Sequence, residues 1–255
     1  MIDGHMHMEN GPLTLEYLNK FVDSAVKANL SGIQMLDHTH RFFEFSELYE
    51  DVKNISPYQE KWLKTKIKDN LIDFINLAEE AKKQNYPIDV KFGLEVCYTS
   101  KNEELIRSIL KDYKFDFMVG AVHSVNSILY DMQGFSRELL WDKYDANDIY
   151  KEYYSEIIKL MKSKLFTQVA HPDTIKLFNI YPDYDLTPTY NEIADLALAN
   201  DLYVENNFGC HYRYHHKDPG LSAEFKQILL DKNVKIMLCS DAHVPEHVGK
   251  HFDLW

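Results

Sequence analysis

Gly32-Ile33-Gln34-Met35-Leu36-Asp37-His38 is a short apolar run that ends on an acid and an imidazole. The same arrangement recurs along the chain. His5 and His7 close the run that begins at Met1, Glu95 follows Phe92-Gly93-Leu94, His123 follows residues 115–122, His171 follows residues 166–170, and Asp241-Ala242-His243 follows residues 235–239. Brief apolar stretches bounded by polar turn residues read as buried strands. Imidazoles and carboxylates are ligands for Zn, Mn and Fe, and barrel enzymes keep their reactive groups at the C-terminal ends of their strands.

Outward from these runs, strands are expected near residues 1–3, 32–36, 88–96, 115–122, 166–170, 202–206 and 234–239. Amphipathic stretches predict helices over 15–28, 58–84, 103–111, 146–162, 188–199 and 222–230. In the first helix Tyr17, Leu18, Phe21, Val22 and Ala25 share one face, and Thr14 stands where an N-cap belongs. Strands alternating with helices define an α/β chain with a parallel sheet. An open sheet would spread the strand-end ligands along an edge, whereas a closed barrel gathers them around one mouth, so a TIM-barrel-like closure of about seven βα units is expected. Two longer excursions, residues 41–57 and 124–145, are candidate lids over that mouth, with Phe42, Phe43, Phe45, Tyr130 and Trp141 as candidate pocket wall.

With 255 residues, 45% of them hydrophobic, the chain can bury a full core, and a single domain over residues 1–255 is expected. A formal net charge of -12 repels nucleic-acid phosphate over most of the surface, so an anionic substrate has to be drawn by a local positive centre such as bound metal ions. Cys97, Cys210 and Cys239 are odd in number and lack metal-site spacing, which points to reduced core thiols. No apolar run is long enough to span a bilayer, and the ligand pattern starts at His5, which leaves no room for a removable targeting peptide. The expectation is a cytoplasmic protein with neither membrane nor nucleic-acid partner.

His5 and His7 stand two apart, so on an extended backbone both project to one side and suit a shared ion. Taken singly, each candidate has an ordinary alternative. A strand-end Glu is commonly solvated, His38, His123 and His171 suit packed histidines bonded to carbonyls, and Ser240-Asp241 suits a turn. Taken together, six strand ends would each need an unrelated reason to place a ligand-type residue at the same topological position. A catalytic zinc keeps about three protein ligands plus water, whereas His5, His7, His38, Glu95, His123, His171, Asp241 and His243 suit two or three divalent ions, with Glu95 best placed to bridge. Such clusters suit hydrolysis of phosphate esters.

Asp3-Gly4-His5-Met6-His7, Asp37-His38, Gly93-Leu94-Glu95, Ala121-Val122-His123-Ser124, His171-Pro172-Asp173 and Ser240-Asp241-Ala242-His243 resemble, in order and spacing along the whole chain, the motifs of the PHP (polymerase and histidinol phosphatase) family. Residues 120–125, 171–176 and 240–249 look like its histidinol-phosphate phosphatase branch. The resemblance implies a distorted (β/α)7 barrel with a trinuclear site occupied by Zn, Mn or Fe. His5, His7, Glu95 and Asp241 would hold the first metal, Glu95, His123 and His171 the second, and His38 and His243 the third. Many family members supply a further histidine to the third metal from the loop after H-x-H. Here that loop is Met8-Glu9-Asn10-Gly11-Pro12, and Glu9 or Glu16 is left to fill the place.

The implied reaction is hydrolysis of a small phosphate ester, L-histidinol phosphate, to L-histidinol and phosphate in histidine biosynthesis. Water activated at the cluster attacks phosphorus in line, and Asp241 or His243 handles protons. His40, Asn206, Asn207, Arg213 and Glu16 are candidates for contact with substrate, and residues 210–216 for stacking on its ring. Similar sites also hydrolyse phosphotyrosine, nucleotide phosphates or nucleic-acid ends, the last disfavoured by the lack of basic stripes. Outside enzymes, the alternative is a metal-binding scaffold without turnover, against which the nearly complete ligand set argues.

Overall fold

A computed structural model describes residues 1–255. Its strands are β1 (Ile2–His7), β2 (Gly32–Leu36), β3 (Asp89–Cys97), β4 (Phe117–Ala121), β5 (Ser124–Val125), β6 (Ile128–Leu129), β7 (Gln168–Val169), β8 (Tyr203–Asn207) and β9 (Ile236–Cys239). Seven of them pair in parallel in the order β1-β2-β3-β4-β7-β8-β9, while β5 and β6 form a separate hairpin. The sheet nearly closes on itself: His7 N–H donates to Ala242 O at 2.8 Å, and Met6 bridges Ala242 in parallel register. The β1–β2 pairing slips between Asp3 and Met6, a bulge that distorts the barrel beside the first histidines. The architecture is therefore the α/β barrel of seven parallel strands that the strand-end pattern implied, with the distortion that the family resemblance implied.

Side chains alternate across each strand. Ile33, Met35, Phe92, Leu94, Val96, Val169 and Val204 belong to the large core between strands and surrounding helices. Leu36, Phe117, Val119, Ala121 and Ala170 form a second, smaller apolar cluster. Val119 is registered opposite Glu95, so this second cluster lies on the face that carries the ligands. Gly93 makes room within it, because a Cβ there would come within 2.6 Å of Phe117 O and of its ring.

The first helix, Leu15–Lys27, buries Leu18, Phe21, Val22 and Ala25, and Thr14 Oγ1 accepts from Tyr17 N–H, as its sequence predicts. The stretch expected as one helix over 58–84 is instead two, Pro57–Lys66 and Leu71–Ala81. Tertiary bonds break it. Lys68 N–H and Asp69 N–H both donate to Arg41 O, Phe43 N–H donates to Asp69 O, and Arg41 Nε–H donates to Asp69 Oδ2 at 2.6 Å. Helical hydrogen bonds across residues 67–70 are thereby replaced by bonds to the excursion after β2.

The two excursions are ordered and joined. The 3-10 turn Thr39–Arg41 leads into residues 41–57, which contain the 3-10 turn Phe43–Tyr49 and the helix Glu50–Ile55; residues 124–145 contain the β5–β6 hairpin and the π-helical turn Arg137–Trp141. Gln59 ties them together, its Nε2 donating to Val52 O at 2.6 Å and to Ser127 O at 3.0 Å while its Oε1 accepts from Leu129 N–H at 2.8 Å. No helix is long and apolar enough to cross a membrane.

Candidate metal centre

β1 delivers His5 and His7 to one side, their Nε2 atoms 2.9 Å apart. The chain after β2 continues alongside β3, with Glu95 N–H donating to Asp37 O, and so sets His38 beside Glu95. His123 follows β4, His171 follows β7, and Asp241 and His243 follow β9. His171 and Asp241 hold left-handed backbone angles, φ 24° and 55°. Such conformations are disfavoured for residues other than glycine and cluster at functional positions.

Glu95 is the hub. Its Oε2 lies 3.4 Å from His5 Nε2, 3.5 Å from His7 Nε2 and 2.7 Å from His38 Nδ1. Its Oε1 lies 3.3 Å from His123 Nε2 and 3.0 Å from His171 Nε2. Asp241 Oδ1 stands 3.3 Å from His7 Nε2, 3.8 Å from His5 Nε2 and 3.2 Å from His243 Nε2. All eight ligand-type residues singled out in the sequence thus converge in one cluster.

A third grouping gathers beside it. Glu9 Oε1 is 2.6 Å from His243 Nδ1, Glu9 Oε2 is 3.8 Å from His40 Nε2, and the His40 and His38 rings stack with centroids 4.4 Å apart. Of the two acids that the sequence left open, Glu9 is thus the one that stands beside His38, His40 and His243. Glu16 does not reach it: it is exposed on the first turn of Leu15–Lys27. His40, expected at the substrate, is stacked into this third grouping.

The donor set fits cations. His7 Nδ1, His38 Nδ1, His40 Nε2, Glu95 Oε2 and His171 Nδ1 are buried without a hydrogen-bond partner. Of these, His38 Nδ1 and Glu95 Oε2 face each other at 2.7 Å, and acceptor atoms so placed away from water are costly unless a positive charge lies between them. Protonation is the other remedy, and electrostatics lean that way in the metal-free chain. Burial opposes charge on His5, but Glu205 and Glu95 outweigh it and hold its pKa well above the ordinary imidazole value. Burial likewise disfavours a charged Glu95, yet His38, His5 and His123 hold its carboxyl well below the usual range.

Several surrounding residues escaped the sequence reading. Glu205, buried on β8, accepts at Oε1 from His5 Nδ1 at 2.7 Å and from Gln168 Nε2, and at Oε2 from the His171 amide. Arg41 holds Asp37 through NH1 at 2.6 Å, and Asp37 Oδ1 in turn accepts from His38 N–H. Cys97 is no core thiol: its Sγ lies 3.2 Å from His123 Nδ1 and it lines the cleft. Its place two residues beyond Glu95 on β3 was the available signal, since i and i+2 share a face.

Above the cluster opens a cleft of about 350 Å³. Arg213 lines it and grips Asp241, its NH2 2.5 Å from Oδ2 and its NH1 3.0 Å from the main-chain oxygen. It projects from the short helix Gly209–Tyr214, which the sequence reading treated only as an aromatic and histidine-rich segment. Asn207 does not face the cleft, because its amide donates to Glu205 and accepts from Gly209 N–H. Asn206 is likewise committed, to Pro219 O and Leu221 N–H. Phe42, Phe45, Tyr130 and Trp141 are buried core residues and Phe43 is exposed, so none is pocket wall; Leu48, Tyr49, Val52, Leu129 and Met132 are, from the same two excursions.

A nearly closed α/β barrel with buried imidazoles and carboxylates converging at its strand ends defines a metal-dependent hydrolase. The sequence profile of the PHP domain matches residues 3–209, and the chain belongs to that family. Among curated relatives, proteins named Probable histidinol-phosphatase from Deinococcus radiodurans and Schizosaccharomyces pombe are 24% and 25% identical, covering 99% and 97% of this chain and 90% and 83% of their own. Among solved structures, a candidate histidinol phosphatase from Listeria monocytogenes has a TM-score of 0.80 at 16% identity, with all of both chains covered. A histidinol phosphate phosphatase from Lactococcus lactis, complexed with zinc, L-histidinol and phosphate, has a TM-score of 0.65 at 18% identity, covering 99% of this chain and 91% of its own.

Proposed function

We propose that this chain is a cytoplasmic, single-domain phosphatase that hydrolyses L-histidinol phosphate to L-histidinol and phosphate, using two to three divalent ions of Zn, Mn or Fe. The observation that carries the reading is Glu95, whose two oxygens face two separate sets of imidazoles, an arrangement suited to a carboxylate shared between neighbouring cations. His5, His7, Glu95 and Asp241 would hold one ion, Glu95, His123 and His171 a second, and Glu9, His38, His40 and His243 a third. Such ions, when bound, supply an activated water near neutral pH and neutralise phosphate charge.

The chain's own residues do the rest. Arg213 lines the cleft and, by gripping Asp241, holds that carboxyl well below its usual range against the effect of burial. Asp241 is thus a fixed anion, ill suited to accept a proton. His243, which has Glu9 beside Nδ1 and Asp241 Oδ1 3.2 Å from Nε2, is the better of the two for handling a proton, from whichever ring nitrogen does not hold an ion. The cleft's volume suits a small ester rather than a polymer. Three free thiols fit a reducing compartment.

The test strips metal with a chelator, restores Mn or Zn, and compares kcat/KM for L-histidinol phosphate, tyrosine phosphate and a nucleotide. Undiminished hydrolysis by metal-free protein, or preference by orders of magnitude for either other ester, overturns the reading.

A further inference from the structure

Three acids line the cleft, and two are committed. Glu9 is bonded to Lys66 and His243, and Asp241 to Arg213. Asp131 is the exception: half-buried in the cleft wall, its carboxylate takes no hydrogen bond or ion pair from any other residue. Nor is it loosely held. Directly before it, Tyr130 O accepts from Trp141 Nε1–H at 2.9 Å; directly after it, Met132 N–H donates to Ser136 Oγ at 2.8 Å, and that hydroxyl donates to Leu129 O at 2.6 Å. The imidazoles of His123, His171 and His38 act on its charge from a distance, but none bonds the carboxylate, which in a concave, partly dehydrated wall is left able to receive a cation. Apolar Leu129, Met132 and Leu177 line the same cleft, so the acid adjoins surface suited to the uncharged part of a ligand.

We infer that Asp131 binds the protonated amine of the substrate and so selects phosphate esters that carry an ammonium group on the carbon next to the esterified one. L-Histidinol phosphate has that pattern: a dianionic phosphate for the cation cluster and, one carbon away, a single positive charge that nothing in the cluster would attract. The inference rests on the proposed substrate and adds the residue that tells it from an amine-free ester.

The experiment uses the full chain loaded with Zn or Mn and compares wild type with Asp131→Asn. It measures the ratio of kcat/KM for L-histidinol phosphate to that for 4-nitrophenyl phosphate, which has no amine, and the Ki of L-histidinol against the second ester. The ratio is expected to fall roughly 10- to 100-fold and the Ki to rise by a similar factor. An unchanged ratio with an unchanged Ki overturns the inference, including the case in which both esters lose equally. Should Asp131→Asn fail to fold, Asp131→Ser is read in the same way. If wild type hydrolyses 4-nitrophenyl phosphate but not L-histidinol phosphate, the proposed substrate fails. The Ki of L-histidinol on the two proteins then still decides whether Asp131 receives an amine, and an unchanged value rejects it.

Discussion

Glu205 Oε1 lies 2.7 Å from His5 Nδ1, both side chains fully buried. The contact places the imidazole proton on Nδ1 and leaves Nε2 free to face His7, Glu95 and Asp241. Carboxylates behind metal-binding histidines fix tautomer and ring orientation in this way.

Glu205→Gln keeps the shape of the contact and removes its charge. Zinc affinity, measured by chelator competition, and kcat/KM are expected to fall about 10- to 100-fold while the circular dichroism spectrum is retained. Unaltered affinity would show that Glu205 only fills space.

Metal loading is expected to release protons. Burial opposes charge on His5 and His123, but Glu205 and Glu95 for the first, and Cys97 and Glu95 for the second, raise both pKa values well above the ordinary imidazole value of 6.5. A raised value means that the metal-free protein still carries these protons at neutral pH, and that metal has to displace them. Apparent affinity therefore weakens as pH falls through the raised values, from above neutrality downward. Adding zinc to unbuffered metal-free protein at about pH 7 should acidify the solution, read by pH-stat; a flat trace rejects this account.

Glu9 and Glu16 are expected to separate cleanly. Glu9→Gln removes the anion between His243, His40 and Lys66, and should lower metal content and reduce kcat/KM about tenfold or more, as loss of a metal-site carboxylate does. Glu16→Gln alters an exposed helix residue and should leave both within twofold, by about the margin typical of surface substitutions. Metal analysis of the two purified variants decides, and equal losses would count against a third site built on Glu9.

Gly93→Ala tests the packing beneath the cluster. The new methyl would meet the Phe117 carbonyl, which is backbone and yields poorly. A loss of about 1–3 kcal/mol in urea unfolding is expected, typical of overpacked cores, and a neutral result would mean β3 and β4 shift apart freely.

The strand-end histidines were legible because each closes an apolar run, and a run's period and end can be read without knowing its neighbours. Glu205 was not. It opens a polar triplet, Glu205-Asn206-Asn207, after Leu202-Tyr203-Val204, one of 40 acids in the chain, and only closure of the barrel shows that it points at His5. Cys97 and Asp131 were missed for related reasons: the first reads as a core thiol, while the second sits in a connecting segment whose path is set by tertiary bonds, and for the same reason Glu9 could be named only as one of two alternatives. The helix expected over 58–84 failed at Asp69 because local periodicity carries no trace of an Arg41 some thirty residues upstream.

Gln59 spends all three of its amide bonds joining Val52 to Ser127 and Leu129. The two halves of the roof over the mouth, contributed by stretches far apart in the chain, are thus buttoned by one side chain. Admission of a ligand by lifting either half would have to undo that button or carry the other half with it, which makes the roof a single hinged panel rather than a pair of independent flaps.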